Sequence, residues 1–92
     1  MLKIEFTGQF KKDYKLALKR GCSPDELSAV VSMLANEQTL PERYKDHALE
    51  DSRLYKGVRE CHIKPDWLLI YKVYEDRLVL ELLRTGTHSD LF

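Results

Sequence analysis

Val58-Arg59-Glu60-Cys61-His62-Ile63, Trp67-Leu68-Leu69-Ile70-Tyr71-Lys72-Val73-Tyr74 and Leu78-Val79-Leu80-Glu81-Leu82-Leu83-Arg84-Thr85 are three strand-like runs, separated by Lys64-Pro65-Asp66 and Glu75-Asp76-Arg77. The runs are rich in apolar residues, and the separators carry the proline, aspartate and charge of tight turns. Consecutive strands joined this closely form an antiparallel meander, because a parallel return needs a long crossover. Leu68-Leu69-Ile70-Tyr71 is apolar on both alternating faces, so its strand is expected at the centre of the sheet, with helices on one side.

Working back from the meander, residues 36–55 lose periodicity and contain Pro41 and His47. A connection of that length in a compact domain is often functional. Before it, Leu27, Val30, Val31 and Leu34 recur at helical spacing behind Ser23-Pro24-Asp25-Glu26. There Ser23 is expected to cap, Pro24 suits the first helical position, and Glu26 is placed to complete a capping box. Phe10, Tyr14, Ala17 and Leu18 predict an earlier helix, capped by Thr7 and stopped at Gly21. Leu2, Ile4 and Phe6 alternate with Lys3 and Glu5 as a first strand. The expected architecture is α+β in the order β-α-α-β-β-β, an N-terminal strand and a helical hairpin packed on an antiparallel sheet. One domain over residues 1–92 is expected, since no repeat or linker interrupts the pattern.

The balance of 43% hydrophobic and 33% charged residues is that of a folding chain, not a disordered one. Fifteen basic and fifteen acidic residues cancel, so no overall field draws the protein to nucleic acid. Lys11, Lys12, Lys15, Lys19 and Arg20 nevertheless crowd one stretch in which Asp13 is the single acid. That stretch reads as a solvated helix face before it reads as a phosphate track. Cys22 and Cys61 make no stapling framework and are expected as free thiols in a reducing compartment. No apolar run has the length of a membrane span or the form of a signal peptide, so the cytoplasm is expected and a membrane is not.

Three histidines, His47, His62 and His88, carry the side chains best suited to both accept and release protons near neutrality. A meander can bring the three together although they are distant in sequence. Taken singly, each is a surface or hydrogen-bonded histidine, and none of the spacings matches a metal-ligand motif, so no metal or cofactor is expected. Cys61 and His62 are adjacent on a strand and point to opposite faces, which excludes a Cys-His nucleophilic pair. Asp66 can orient an imidazole or hold an RNA hydroxyl, or simply form its turn. Trp67 is a core anchor first and a stacking platform second. Arg84-Thr85-Gly86-Thr87-His88 places a cation, two hydroxyls and an imidazole in one tight segment, a candidate phosphate grip. Phe92 is placed to stack on a base.

Tyr44-Lys45-Asp46-His47-Ala48-Leu49, the run from Gly57 to Lys72, and Arg84-Thr85-Gly86-Thr87-His88-Ser89-Asp90-Leu91-Phe92 resemble the YafQ-type members of the RelE/ParE toxins. The resemblance covers nearly the whole chain, and Phe10-Lys11-Lys12-Asp13 resembles the first helix of that family. It departs between Leu49 and Gly57, where Asp51 and Tyr55 stand in place of the usual glycine and tryptophan. What it implies is a RelE-like fold and a ribosome-dependent, metal-independent endoribonuclease. This toxin would be neutralised by a DinJ-like ribbon-helix-helix antitoxin and would reach operator DNA only through it. The residues implied for catalysis are His47, His62, Asp66, Arg84 and His88. Those expected on the RNA are Trp67, Thr87, Phe92, Lys11 and Lys12. The alternatives are a non-enzymatic, ParE-like toxin that binds DNA gyrase, and a partner that only helps its antitoxin hold operator DNA.

Overall fold

The computed structural model describes residues 1–50 and 57–92. Asp51 and Tyr55, where the resemblance breaks, lie outside the described residues. The elements are β1 (Lys3–Phe6), α1 (Gly8–Lys19), α2 (Pro24–Ala35), a single 3-10 turn (Glu42–Tyr44), β2 (His47–Ala48), β3 (Arg59–Lys64), β4 (Trp67–Tyr74), β5 (Val79–Gly86) and α3 (His88–Leu91). The described strands form one sheet in the order β1-β5-β4-β3-β2. β3, β4 and β5 are the antiparallel meander read from the sequence, whereas β1 joins it parallel to β5, with Lys3 opposite Val79 and Phe6 opposite Leu82. The sheet is therefore mixed, a consequence of routing the chain from β1 back through two helices. β2 and α3 are additions to the expected order. The last strand begins one residue late because Leu78 turns the chain with a φ of +53°.

α1 starts where Thr7 accepts from the Phe10 amide and ends at Arg20, and Gly21 follows with a φ of +88°. Leu18, read as part of its apolar face, is exposed; Phe10 and Ala17 carry the burial. At α2, Pro24 occupies the first turn as expected, but Ser23 makes no side-chain cap. Glu26 is drawn away by Lys64, whose ammonium lies 3.3 Å from its carboxylate, so the expected capping box does not form.

β4 is central, and Leu68, Leu69 and Ile70 have no solvent exposure at all. Burying each stabilises the fold by about 1.5–3 kcal/mol. Its two faces serve different clusters. Leu69 and Tyr71, with Cys61 and Ile63 of β3, pack under α1 and α2 against Phe10, Ala17, Leu27 and Val30. Leu68 and Ile70 pack on the opposite face with Val58 and with Leu91 of α3. That second, smaller cluster is the floor of the candidate site.

Candidate functional site

Strand register assembles the site. Glu60 and His62 lie opposite Ile70 and Leu68, both in the second cluster, and cross-strand partners share a face. His47 lies opposite Glu60, so the two-residue strand β2 lifts it from the connecting loop onto the same face. α3 covers the floor with Leu91 and delivers His88 at its start and Phe92 at its end. The result is a row: ring centroids are 6.5 Å apart for His47 and His62, 6.2 Å for His62 and His88, and 5.7 Å for His88 and Phe92. Phe92 is exposed.

Two backbone carbonyls fix the imidazoles. His47 Nδ1 lies 2.7 Å from the Lys45 carbonyl and His62 Nδ1 lies 3.3 Å from that of Pro65. A carbonyl only accepts, so Nδ1 carries the proton in both rings and Nε2 is left for chemistry. Both Nε2 atoms face one oxygen, Glu60 Oε1, at 3.5 Å from His47 and 3.7 Å from His62. Glu60 is 4% exposed. Buried carboxylates need a charged or hydrogen-bonding partner, and either imidazole, once protonated, supplies one. Glu60 was not among the expected site residues. The signal for it was present, an acid alternating with His62 on a strand that the core requires.

Behind His47, Asp46 accepts from Arg59 at 3.2 Å and from the Tyr71 hydroxyl, which ties the start of β2 to β3 and β4. Burial, followed by hydrogen bonding to Asp46, raises the Tyr71 hydroxyl above its ordinary range. Cys61 is wholly buried, and burial, reinforced by the Asp46 and Glu60 charges, pushes its thiol up to about 12, which leaves it inert as a nucleophile.

The remaining expected residues gather elsewhere. Asp66, Trp67, Arg84 and Thr87 line a cavity of about 200 Å³ together with Asp13 and Asp90. Arg84 is bound in two places by Asp13 of α1, at 2.8 and 3.2 Å, and Asp13 also accepts from the Thr85 amide. Burial would raise the Asp13 carboxyl, but hydrogen bonds from Arg84, Gln9 and Thr85, with the Arg84 charge, hold it below its ordinary value. Trp67 is 4% exposed and donates its indole N–H to Thr85 Oγ1 at 2.8 Å, so its ring belongs to the core and is not offered to a base. Thr85 in turn donates to the Leu68 carbonyl.

Of the segment read as a phosphate grip, Arg84, Thr85 and Gly86 end β5, and Thr87 and His88 start α3. Thr87 and Asp90 form a capping box around α3. Arg20 reaches from the end of α1 to Asp90 at 2.6 Å. Hydrogen bonds from Arg20 and then from the Thr87 amide lower the Asp90 carboxyl to about 2. Lys11 and Lys12 are exposed on α1. Lys11 borders an apolar groove lined by Phe6, Tyr14 and Val31 and by none of the histidines.

Among the described residues no helix is long and apolar enough to cross a membrane, and no group of three or more His, Cys, Asp or Glu is placed to hold a metal ion.

The model of a bacterial toxin of type II toxin-antitoxin systems, YafQ, matches residues 2–92. The chain is 47% identical over 90 residues to the mRNA interferase toxin YafQ of Escherichia coli K12, which covers 97% of this chain and 94% of that protein. A metal-bound toxin from Helicobacter pylori superimposes with a TM-score of 0.93 at 46% identity, covering both chains fully. The E. coli DinJ–YafQ complex gives 0.89 at 45% identity, covering 100% of this chain and 99% of the other. Matched over nearly its whole length by sequence and by fold, the chain belongs to the YafQ family of bacterial type II toxins.

Proposed function

We propose that this toxin is a ribosome-dependent endoribonuclease that cuts messenger RNA by acid–base catalysis, on the face that carries His47, His62 and His88. The observation that carries this reading is the row of three imidazoles, with successive centroids 6.5 and 6.2 Å apart, and an exposed aromatic ring at its end. In-line cleavage needs a base on one side of phosphorus and an acid on the other. The outer histidines of the row supply them. His47 Nε2 takes the proton of the 2′-hydroxyl as its oxygen bonds to phosphorus; the bond from phosphorus to the 5′-oxygen breaks, and His88 gives that oxygen a proton. The products are a 2′,3′-cyclic phosphate and a 5′-hydroxyl.

His62, between the two, donates to the phosphate from Nε2 in its protonated form, and Glu60 holds whichever of His47 and His62 carries the second proton. Phe92 stacks on a base. Asp66, exposed in the turn after β3, is placed to bind the RNA strand. Arg84 contributes less to the developing charge than the histidines do, since Asp13 offsets most of its own. Thr87 acts through the helix that it caps, and Lys11 and Lys12 lend only long-range attraction to RNA.

The E. coli relative is solved with DinJ, and a DinJ-like ribbon-helix-helix antitoxin is the partner proposed here; operator DNA is reached only through it. The cytoplasm, where ribosomes and message meet, is the place of action. The deciding experiment is message cleavage on translating ribosomes, with gyrase supercoiling as the parallel assay. His88→Ala should keep the fold and ribosome binding and lose roughly 10²–10⁴-fold in rate. Cleavage at the native rate by that variant would end the assignment.

A further inference from the structure

A groove of about 780 Å³ opens beside the catalytic row, lined by Glu26, Arg43, Lys45, His62, Lys64 and Pro65 among others. Its wall is shared with the site. The carbonyl that fixes His47 belongs to Lys45, and the one that fixes His62 belongs to Pro65. A strand of RNA whose phosphate lay against the histidines would have this groove beside it. Three cations, Arg43, Lys45 and Lys64, meet it there. Arg43 is held in place over the Tyr44 ring, 4.8 Å from its centroid, and donates to the Tyr44 hydroxyl. At the helical side stand Asp25 and, next to it, Glu26. Its Oε1 pairs with Lys64, while its Oε2 is buried with no hydrogen-bond partner among the described residues. Such an atom needs a donor.

The two halves of the groove ask for different chemistry. Phosphate satisfies the cations but has no proton for Glu26; an amine satisfies Glu26 but not the cations. A nucleotide does both, and a groove of this volume is within the range that holds one. We propose that the groove is a subsite for the nucleotide adjoining the cleaved phosphodiester. Arg43, Lys45 and Lys64 take its phosphate, and Glu26 accepts from an N–H on the edge of its base. The inference rests on the RNA-cleaving reading above.

The test uses the full chain and a short RNA oligonucleotide with a 2′-deoxy sugar at the cleavage position, followed by fluorescence anisotropy over a range of salt. Replacing Arg43 and Lys64 together by glutamine should weaken binding at least tenfold at low salt. It should also reduce the slope of log K against log salt by about 0.7 for each phosphate that is no longer neutralised. On translating ribosomes the same variant should raise KM and leave kcat in place, Lys64→Arg alone should keep most of the affinity, and Glu26→Ala should weaken oligonucleotide binding. Unchanged affinity and slope in the double variant overturn the subsite. So does loss of ribosome association with oligonucleotide binding intact, which assigns the cations to ribosomal RNA. If the native protein cleaves message and the variants behave as native, only the subsite falls. If the native protein does not cleave, the RNA-cleaving reading falls with it.

Discussion

Replacing Gly86 by alanine should cost this toxin far more in activity than in stability. Gly86 ends β5 with a φ of +155°, and a Cβ there would lie 2.9 Å from Asp90 Oδ2 and 3.1 Å from Asp90 Cβ. The Asp90 side chain is not at liberty to swing aside, since Oδ2 accepts from the Thr87 amide at 2.9 Å and from Arg20 at 2.6 Å. Two responses remain. The backbone can strain in place, at about 1–3 kcal/mol for a conformation nearly confined to glycine. Alternatively α3 can detach, losing its cap at about 1 kcal/mol and the burial of Leu91 at about 1.5–3 kcal/mol. The first is the smaller loss, so the helix should stay docked but displaced. Each kcal/mol lowers the melting temperature of a chain this size by roughly 4–8 °C. A displacement near 1 Å of His88 should lower kcat about 100-fold, because misplacement on that scale disrupts a near-attack geometry. The assay is message cleavage on translating ribosomes at a temperature where circular dichroism shows the variant folded. Native kcat in folded Gly86→Ala would refute the claim that this close approach sets the position of His88.

Thr85→Val keeps the shape of a wholly buried side chain but strands the Trp67 indole N–H, and should destabilise by about 1–3 kcal/mol in chemical denaturation; adding Trp67→Phe should recover part of that loss. Asp13 titrates below its ordinary value of 3.8 in the folded state, so its contribution is fully present above that value and lost as pH falls through the lowered one. Asp13→Asn should therefore be less stable than the native chain at pH 7, with the gap narrowing by pH 3 in parallel urea titrations. Glu60→Gln should lower kcat roughly 10–100-fold as the common partner of two imidazoles loses its charge, and an unaltered rate would show that Glu60 only fills space.

What was legible in the sequence, and what was not, divides by the length of the element. Leu68-Leu69-Ile70-Tyr71 announces a strand buried on both faces, and it is one. The α2 stripe of Leu27, Val30 and Leu34 is likewise a property of spacing alone. These long patterns give the platform. His47 stands on a strand of two residues, too short to have a period, and its place beside His62 depends on pairing with Glu60 across the intervening chain. Thr87-His88-Ser89-Asp90 did carry a local signal, the hydroxyl and acid of a capping box. The nearby arginine and glycine instead suggested a grip on phosphate, and nothing local says that Arg84 is claimed by Asp13, 71 residues away. Ion pairs across that separation are decided by the packing of α1 against β5, which follows from the core and not from either residue. Two of the three histidines therefore sit on the elements with the weakest sequence signatures, a two-residue strand and a one-turn helix, while His62 stands on β3. Each of the two short elements is held by a partner on a longer one: Glu60 of β3 for β2, and Arg20 at the end of α1 for α3. Changing one of those partners, more than any apolar residue of the buried sheet, is what should separate folding from cleavage.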